Sequence, residues 1–189
     1  LEYTNENFYA LSKRLSRCYV EYFRNNYKIN ARQFFFGNFT SKDQSLEYFL
    51  PKIINYAIRL NNDNNIPPLY LGNILNYRSF LHVEDVCNII WNQTNNSNKD
   101  SYIFSPDFYS LKNIIQKVFN VLEIDNRWID DNNTQTLKLL INNKNYSIIS
   151  QNINKVSKNY FTPLQNYCDI KNSELKYDSI DKIIKSFIV

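Results

Sequence analysis

Two kinds of apolar pattern alternate along this chain, and that alternation limits what it can fold into more than any single residue does. In four stretches apolar residues recur three and four positions apart, the spacing of one helix face. They are residues 8–24 (Leu11, Leu15, Cys18, Tyr19, Tyr22, Phe23), 45–60, 83–91 (Val83, Val86, Cys87, Ile90, Trp91) and 110–124. Between them stand short runs dense in aromatic and branched residues: INARQFFF at 29–36, PPLYLGN at 67–73, the extended start of RSFLHV at 78–83 and YIFS at 102–105. Helices alternating with short strands predict an α/β protein, with INARQFFF as a short buried strand. Pro51 puts a boundary or kink near residue 50, since proline breaks a helix interior. Ser110 suits the cap of the fourth helix, and SIDKIIKSFIV supplies a final short one. Residues 125–159 are rich in Asn, lack a clear period and read as loop.

The composition narrows the function. With 189 residues, 43% hydrophobic and 21% charged, the chain can bury a core as one domain or two small ones. The net charge of +4 is spread among acids, which argues against a dedicated nucleic-acid binder. No apolar run reaches the roughly 18 residues of a membrane span, and no signal-peptide pattern opens the chain, so a cytoplasmic protein is expected. Cys18, Cys87 and Cys168 are odd in number and far apart. They read as free thiols of a reducing compartment, without zinc spacing, and no metal is expected. Gly37 and Gly72 are the only glycines, so no glycine-rich phosphate loop is present. The chain begins at Leu1 and has no Met, which predicts a piece of a longer product.

Tyr-x-x-x-Lys occurs at Tyr9/Lys13, Tyr48/Lys52 and Tyr167/Lys171. In a chain with 15 tyrosines, chance alone produces about one such match. Spacing does not choose among them. Their surroundings do. Tyr9 stands in FYALSK, followed by a helix, a strand ending FFFGNF, a helix carrying PKIINYAIRL and then LYLGNILNYRSFLHVEDVCNIIW. That order, from Tyr9 to about Trp91, resembles the extended short-chain dehydrogenases that act on nucleotide-sugars, and within them the GDP-mannose 4,6-dehydratases. The resemblance returns more weakly at YIFSPDFYSLKNII, YFTP (160–163) and CDIKNSELKY (168–177).

The resemblance implies the last part of a Rossmann-like parallel sheet (1–37, with the catalytic helix) and a small, mainly substrate-binding α/β part (38–189). It implies an NADP cofactor and GDP-mannose as substrate, converted to GDP-4-dehydro-6-deoxymannose, a fucose precursor. It makes Tyr9 the base, with Lys13 beside it and on the nicotinamide ribose. A lysine ammonium one helical turn from a phenol, about 5–6 Å away, favours the phenolate. Lys52 corresponds to a lysine pointed at the substrate's nucleotide, while Tyr48 is expected to pack. Asn38 corresponds to an amide that orients the sugar nucleotide, and Arg78 is the candidate for its phosphates, which a guanidinium grips bidentately. By residues alone each has a plainer reading: an exposed helix pair for Tyr9/Lys13, a turn residue beside Gly37 for Asn38, a surface charge for Arg78. His82 and Asp85 are expected to be structural. Through the helix at 9–24 the resemblance also implies a homo-oligomer, with Leu15, Cys18, Tyr19 and Tyr22 at the contact.

The chain also departs from the family pattern. Phe39, Asp43 and Gln44 stand where a histidine and two arginines help hold the cofactor, and Thr162 to Gln165 replace an arginine and an acid. The glycine-rich turn and the groups of the elimination step are expected upstream of Leu1, so this chain alone is expected to hold a dinucleotide poorly and to lack turnover. A sister epimerase or dehydratase, or an inactive remnant, is the alternative.

Overall fold

The structure, a computed structural model, describes residues 8–62, 65–94, 100–103, 105, 107–130, 135–141, 144–150 and 178–188. YFTP, CDIKNSELKY, Tyr167/Lys171 and Cys168 lie outside the described residues. The helices are α1 (Phe8–Tyr27), α2 (Phe49–Asn62), α3 (Val83–Thr94), α4 (Leu111–Val121) and α5 (Ile180–Ser186). The strands are β1 (Phe34–Phe36), β2 (Asn38–Thr40), β3 (Leu69–Leu71), β4 (Tyr77–Arg78), β5 (Phe80–His82), β6 (Ser101–Ile103), β7 (Tyr109–Ser110), β8 (Asp125–Asp130), β9 (Gln135–Ile141) and β10 (Lys144–Ser150). Among the described residues no helix is long and apolar enough to cross a membrane.

The predicted α/β alternation is present, and two of its pairings are short parallel ladders: β1 with β6 and β2 with β5. Pro51 sits in the first turn of α2, where its missing N–H costs nothing, so the second helix starts at Phe49 rather than at residue 45. Ser110 caps α4 by accepting the Asn113 N–H at 3.1 Å, and Ser179 caps α5 in the same way.

Three expectations are corrected. INARQFFF contributes only Phe34–Phe36 to a strand, and those residues are half-buried rather than buried. On α3 the buried residues are Val86 and Ile89, whereas Cys87 is exposed and Trp91 is 74% exposed. The third is the largest: the Asn-rich stretch after 125 holds a β8–β9–β10 meander, with β3 added in parallel at β10. Its inner face is built by alternation, because successive strand residues point to opposite faces. Leu69, Ile148, Leu137 and Trp128 lie in one register row across the sheet.

Against that inner face packs α4, whose Ile114, Ile115, Val118 and Phe119 are buried, with α2 and α5 beside it. Tyr56 ties α2 to this sheet: its hydroxyl lies 3.1 Å from the Pro67 carbonyl and 3.3 Å from that of Ser147, and burial pushes its pKa up to about 12. A smaller cluster of Leu81, Val86, Ile89 and Ile103, flanked by Phe34 and Phe36, joins β1, β5, β6 and α3.

No residue of α1 is buried. Polar bonds hold it instead. The Arg24 guanidinium donates to both Asp100 oxygens, at 2.5 and 3.1 Å, and through Nε to the Ala31 carbonyl at 2.7 Å. Asp100 also accepts the Gln33 N–H at 2.9 Å. The hydrogen bond from Arg24 holds the Asp100 carboxyl below the usual carboxylate range. A folded-state pKa below the unfolded one gives stability that is present above the unfolded value and lost as pH falls through the folded one. We therefore expect the amide protection of α1, corrected for the intrinsic exchange rate, to fall as pH drops below about 4, and Asp100→Asn to remove that step.

Scarcity of glycine leaves a mark on the helix ends. Glu123, at φ 57°, closes α4 with bonds from its N–H to Asn120 and from the Ile124 N–H to Phe119, the six-residue closure that usually has glycine at this position. A side chain in the left-handed region costs about 1 kcal/mol or more, so Glu123→Gly should raise the unfolding free energy by about 0.5–1 kcal/mol in urea titration.

Candidate active site

The predicted residues converge because of strand pairing. At 2.9 Å the Gly37 N–H donates to the Ile103 carbonyl, carrying the chain from the β1–β6 ladder directly into β2. There Asn38 pairs in register with Phe80, while Arg78, two residues earlier, pairs with Tyr109 at the entrance to α4. The first turn of α1 brings Tyr9 over the same place. The result is a cavity of about 530 Å³ whose lining includes Tyr9, Asn38 and Arg78. Three of the five predicted site residues, taken from segments 29 to 69 positions apart in sequence, share one cavity.

The other two do not line it. Lys13 lies one turn along α1 with its Nζ 5.3 Å from the centre of the Tyr9 ring, over the ring face. Tyr9 is 71% exposed, so this pair stands on an open helix surface at the cavity's edge. Lys52 is half-buried in the first turn of α2, where its N–H donates to the Tyr48 carbonyl at 3.0 Å. Tyr48 was expected to pack. Instead it is 58% exposed and lines the cavity.

Nearly half of the described lining is aromatic: Tyr9, Phe39, Tyr48, Phe49 and Phe80 supply five rings. Phe39 stands edge-on to Phe36, with ring centres 6.1 Å apart. Among the described lining residues Arg78 carries the one formal charge, and its guanidinium donates to the neighbouring Tyr77 carbonyl at 2.7 Å. Asn38 donates from Nδ2 to the Ser79 carbonyl at 3.2 Å, which fixes the amide and leaves its Oδ1 to accept. Sequence reasoning missed Phe80 and Tyr48 as lining residues. The register Asn38↔Phe80 is the signal that places Phe80, and it is visible only once β2 and β5 are paired.

His82 and Asp85 have the structural roles expected. The Glu84 N–H donates to His82 Nδ1 at 3.4 Å at the start of α3, and Asp85 accepts the Asp178 N–H at 3.0 Å, fastening the approach to α5. Among the described residues no group of His, Cys, Asp and Glu is arranged to hold a metal ion.

A family model described as GDP-mannose 4,6 dehydratase matches residues 2–172. The chain belongs to that family. Solved structures that share the fold of this GDP-mannose 4,6-dehydratase family member include RMD from Pseudomonas aeruginosa complexed with NADPH, at TM-score 0.67 and 12% identity over 98% of this chain and 56% of that one. A dTDP-glucose 4,6-dehydratase from Bacillus anthracis in complex with NAD matches at TM-score 0.62 and 14% identity, over 98% and 53% of the two chains. UDP-N-acetylglucosamine 4-epimerase from Methanobrevibacter ruminantium, in complex with UDP-N-acetylmuramic acid, matches at 0.59 and 19%, over 100% and 57%. The chain thus spans about half the length of these structures. No curated protein matches it.

The Asn38 bond can be tested as architecture. It is a side-chain tie between β2 and the residue before β5, so Asn38→Ala should cost about 0.5–1.5 kcal/mol in urea unfolding. An unchanged midpoint would show that the tie carries no stability.

Proposed function

We propose that this chain forms the substrate-facing part of an NADP-dependent GDP-mannose 4,6-dehydratase, which converts GDP-mannose to GDP-4-dehydro-6-deoxymannose in the cytoplasm. The observation that carries this reading is the single cavity lined by Tyr9, Asn38 and Arg78. Residues 1–37 belong with the nucleotide-binding part and 38–189 mainly with the substrate-binding part.

Each residue has a chemical task suited to its surroundings. The deprotonated phenolic oxygen of Tyr9 takes a proton from a sugar hydroxyl as that carbon is oxidised, and Tyr9 stands at the cavity's edge. Lys13, over the Tyr9 ring, keeps a positive charge beside it. Arg78 meets the diphosphate, Lys52 is directed to the nucleotide and Asn38 orients the sugar through its free Oδ1. A bound nicotinamide would supply the hydride acceptor. The residues present fit the ribose end of such a cofactor, since Lys13 and Tyr9 offer an ammonium and a hydroxyl one turn apart on an open face. Among the described residues there is no glycine-rich cradle for its pyrophosphate: Gly37 leads into a strand, Gly72 follows one, and neither opens a helix. Elimination of water is assigned to no residue of this chain.

The exposed Leu15, Tyr19 and Tyr22 and the free, exposed Cys18 lie on α1, which supports this helix as the contact of a homo-oligomer. Free thiols at Cys18 and Cys87 suit a reducing compartment. A second reading, another nucleotide-sugar enzyme or an inactive subunit, draws on Phe39 and Gln44. Both line the cavity where the family pattern has charged side chains.

Calorimetry separates these readings. The chain should bind GDP in preference to UDP, and Arg78→Ala should weaken GDP by about 1.5–3 kcal/mol. Equal affinity in the variant would remove Arg78 from the site, and a preference for UDP would move the function to a sister enzyme.

A further inference from the structure

The last residue of β2 does something its sequence neighbours do not show. Thr40 is 1% exposed, and its buried hydroxyl donates its one proton to Gln44 Oε1 at 2.8 Å. The Gln44 N–H in turn donates to the Ser41 carbonyl at 3.2 Å. Backbone and side chain of Gln44 are therefore both held, with the amide oxygen engaged. The group left for a ligand is Nε2, which can only donate. Gln44 lines the 530 Å³ cavity together with Asn38, whose amide is fixed in the opposite sense, Nδ2 engaged and Oδ1 left to accept.

A hydroxyl both donates and accepts, so an amide donor and an amide acceptor on one cavity wall complement a ring bearing hydroxyl groups. Phosphate oxygens only accept, and in this cavity a guanidinium is available to them at Arg78. The rings of Phe39, Tyr48 and Phe80 offer apolar faces for the C–H side of a sugar. A site that hydrogen-bonds a hydroxyl discriminates against a ligand that lacks it, because its donor and acceptor then lose their partner.

We propose that Gln44, positioned by Thr40, is a specificity residue that donates to a hydroxyl of the sugar ring rather than to the nucleotide. This rests on the nucleotide-sugar reading above. Gln44 contacts the ligand, and Thr40 acts through it.

The test compares GDP with GDP-mannose on the full 189-residue chain by titration calorimetry. Unaltered protein should bind GDP-mannose more tightly than GDP. Gln44→Ala should lower the affinity for GDP-mannose about five- to tenfold, the loss of one neutral hydrogen bond, and leave GDP affinity unchanged. Thr40→Val should lose most of the same increment, and Thr40→Ser, which keeps the hydroxyl, should retain it. Unchanged GDP binding shows in each case that the variant is folded. Equal losses for both ligands in Gln44→Ala, or no loss for either, would overturn the assignment while leaving the nucleotide-sugar reading intact. A Thr40→Val protein with full discrimination would overturn the positioning role. If the unaltered chain binds neither ligand, the nucleotide-sugar reading fails and this proposal fails with it.

Discussion

The Asp100 carboxylate anchors the helix that brings Tyr9 to the mouth of the cavity. Because α1 has no fully buried residue, polar bonds carry much of its placement, and the fork of Arg24 on Asp100 is one of them. The same carboxylate accepts the Gln33 N–H just before β1, so helix and strand share a single anchor. From Arg24 to Tyr9 is about 22 Å along a helix at 1.5 Å per residue. Over that lever a tilt of a few degrees moves Tyr9 by about 1–2 Å, enough to matter for proton transfer. A second hold shortens the lever. The Gln33 side chain donates to the Arg17 carbonyl at 3.3 Å, and the Arg17 guanidinium lies 5.5 Å from the centre of the Phe35 ring. Arg17 stands about 12 Å from Tyr9 along the helix, so this hold acts nearer the cavity than Arg24 does.

The cavity borders the larger core, whose Phe49, Leu50, Phe80 and Leu111 form part of its lining. On β5, Leu81 points into the smaller cluster with Val86 and Ile89, while Phe80 packs against the larger one. Asn38 and Phe39 likewise head a strand whose last residue, Thr40, is buried. The cavity draws its lining from α1, β2, α2, β4, β5 and the start of α4, so no single element carries the site.

This explains which parts could be read from residues alone. The helices with a strong period, α1, α2 and α4, are legible, as is the cap Ser110, since their signals are local. The α3 face was misjudged because Val83, Cys87 and Trp91 make as regular a stripe as Val86 and Ile89; only packing against β5 and β6 chooses between them. The meander escaped notice for a different reason. In QTLKLLI the alternation is clear at Leu137, Lys138 and Leu139, but Asn-rich segments on either side and an Asp-Asn-Arg opening to β8 dilute it. The three residues that share the cavity could each be named from the resemblance, yet their meeting could not. It requires the parallel pairing of β2 with β5, a contact between residues some forty positions apart that leaves no local trace.

The cavity's charge distribution limits what it can hold. Its described lining contains one cation and no carboxylate, surrounded by rings and amides. The nearby acid of the 41–44 turn, Asp43, lines a separate cavity with Lys42, His82, Glu84 and the Asp178–Lys182 ion pair, so it does not neutralise Arg78 from within. Low-polarity walls strengthen the field of a single guanidinium, which favours an anion against aromatic surface. A diphosphate nevertheless carries more charge than one guanidinium offsets. Lys52, half-buried one turn into α2, is not among the described lining residues, so Arg78 is the one cation the described lining offers such an anion. Gln44 adds an uncharged amide to the same lining, so beyond Arg78 what the described lining offers a ligand is hydrogen-bond pattern rather than charge.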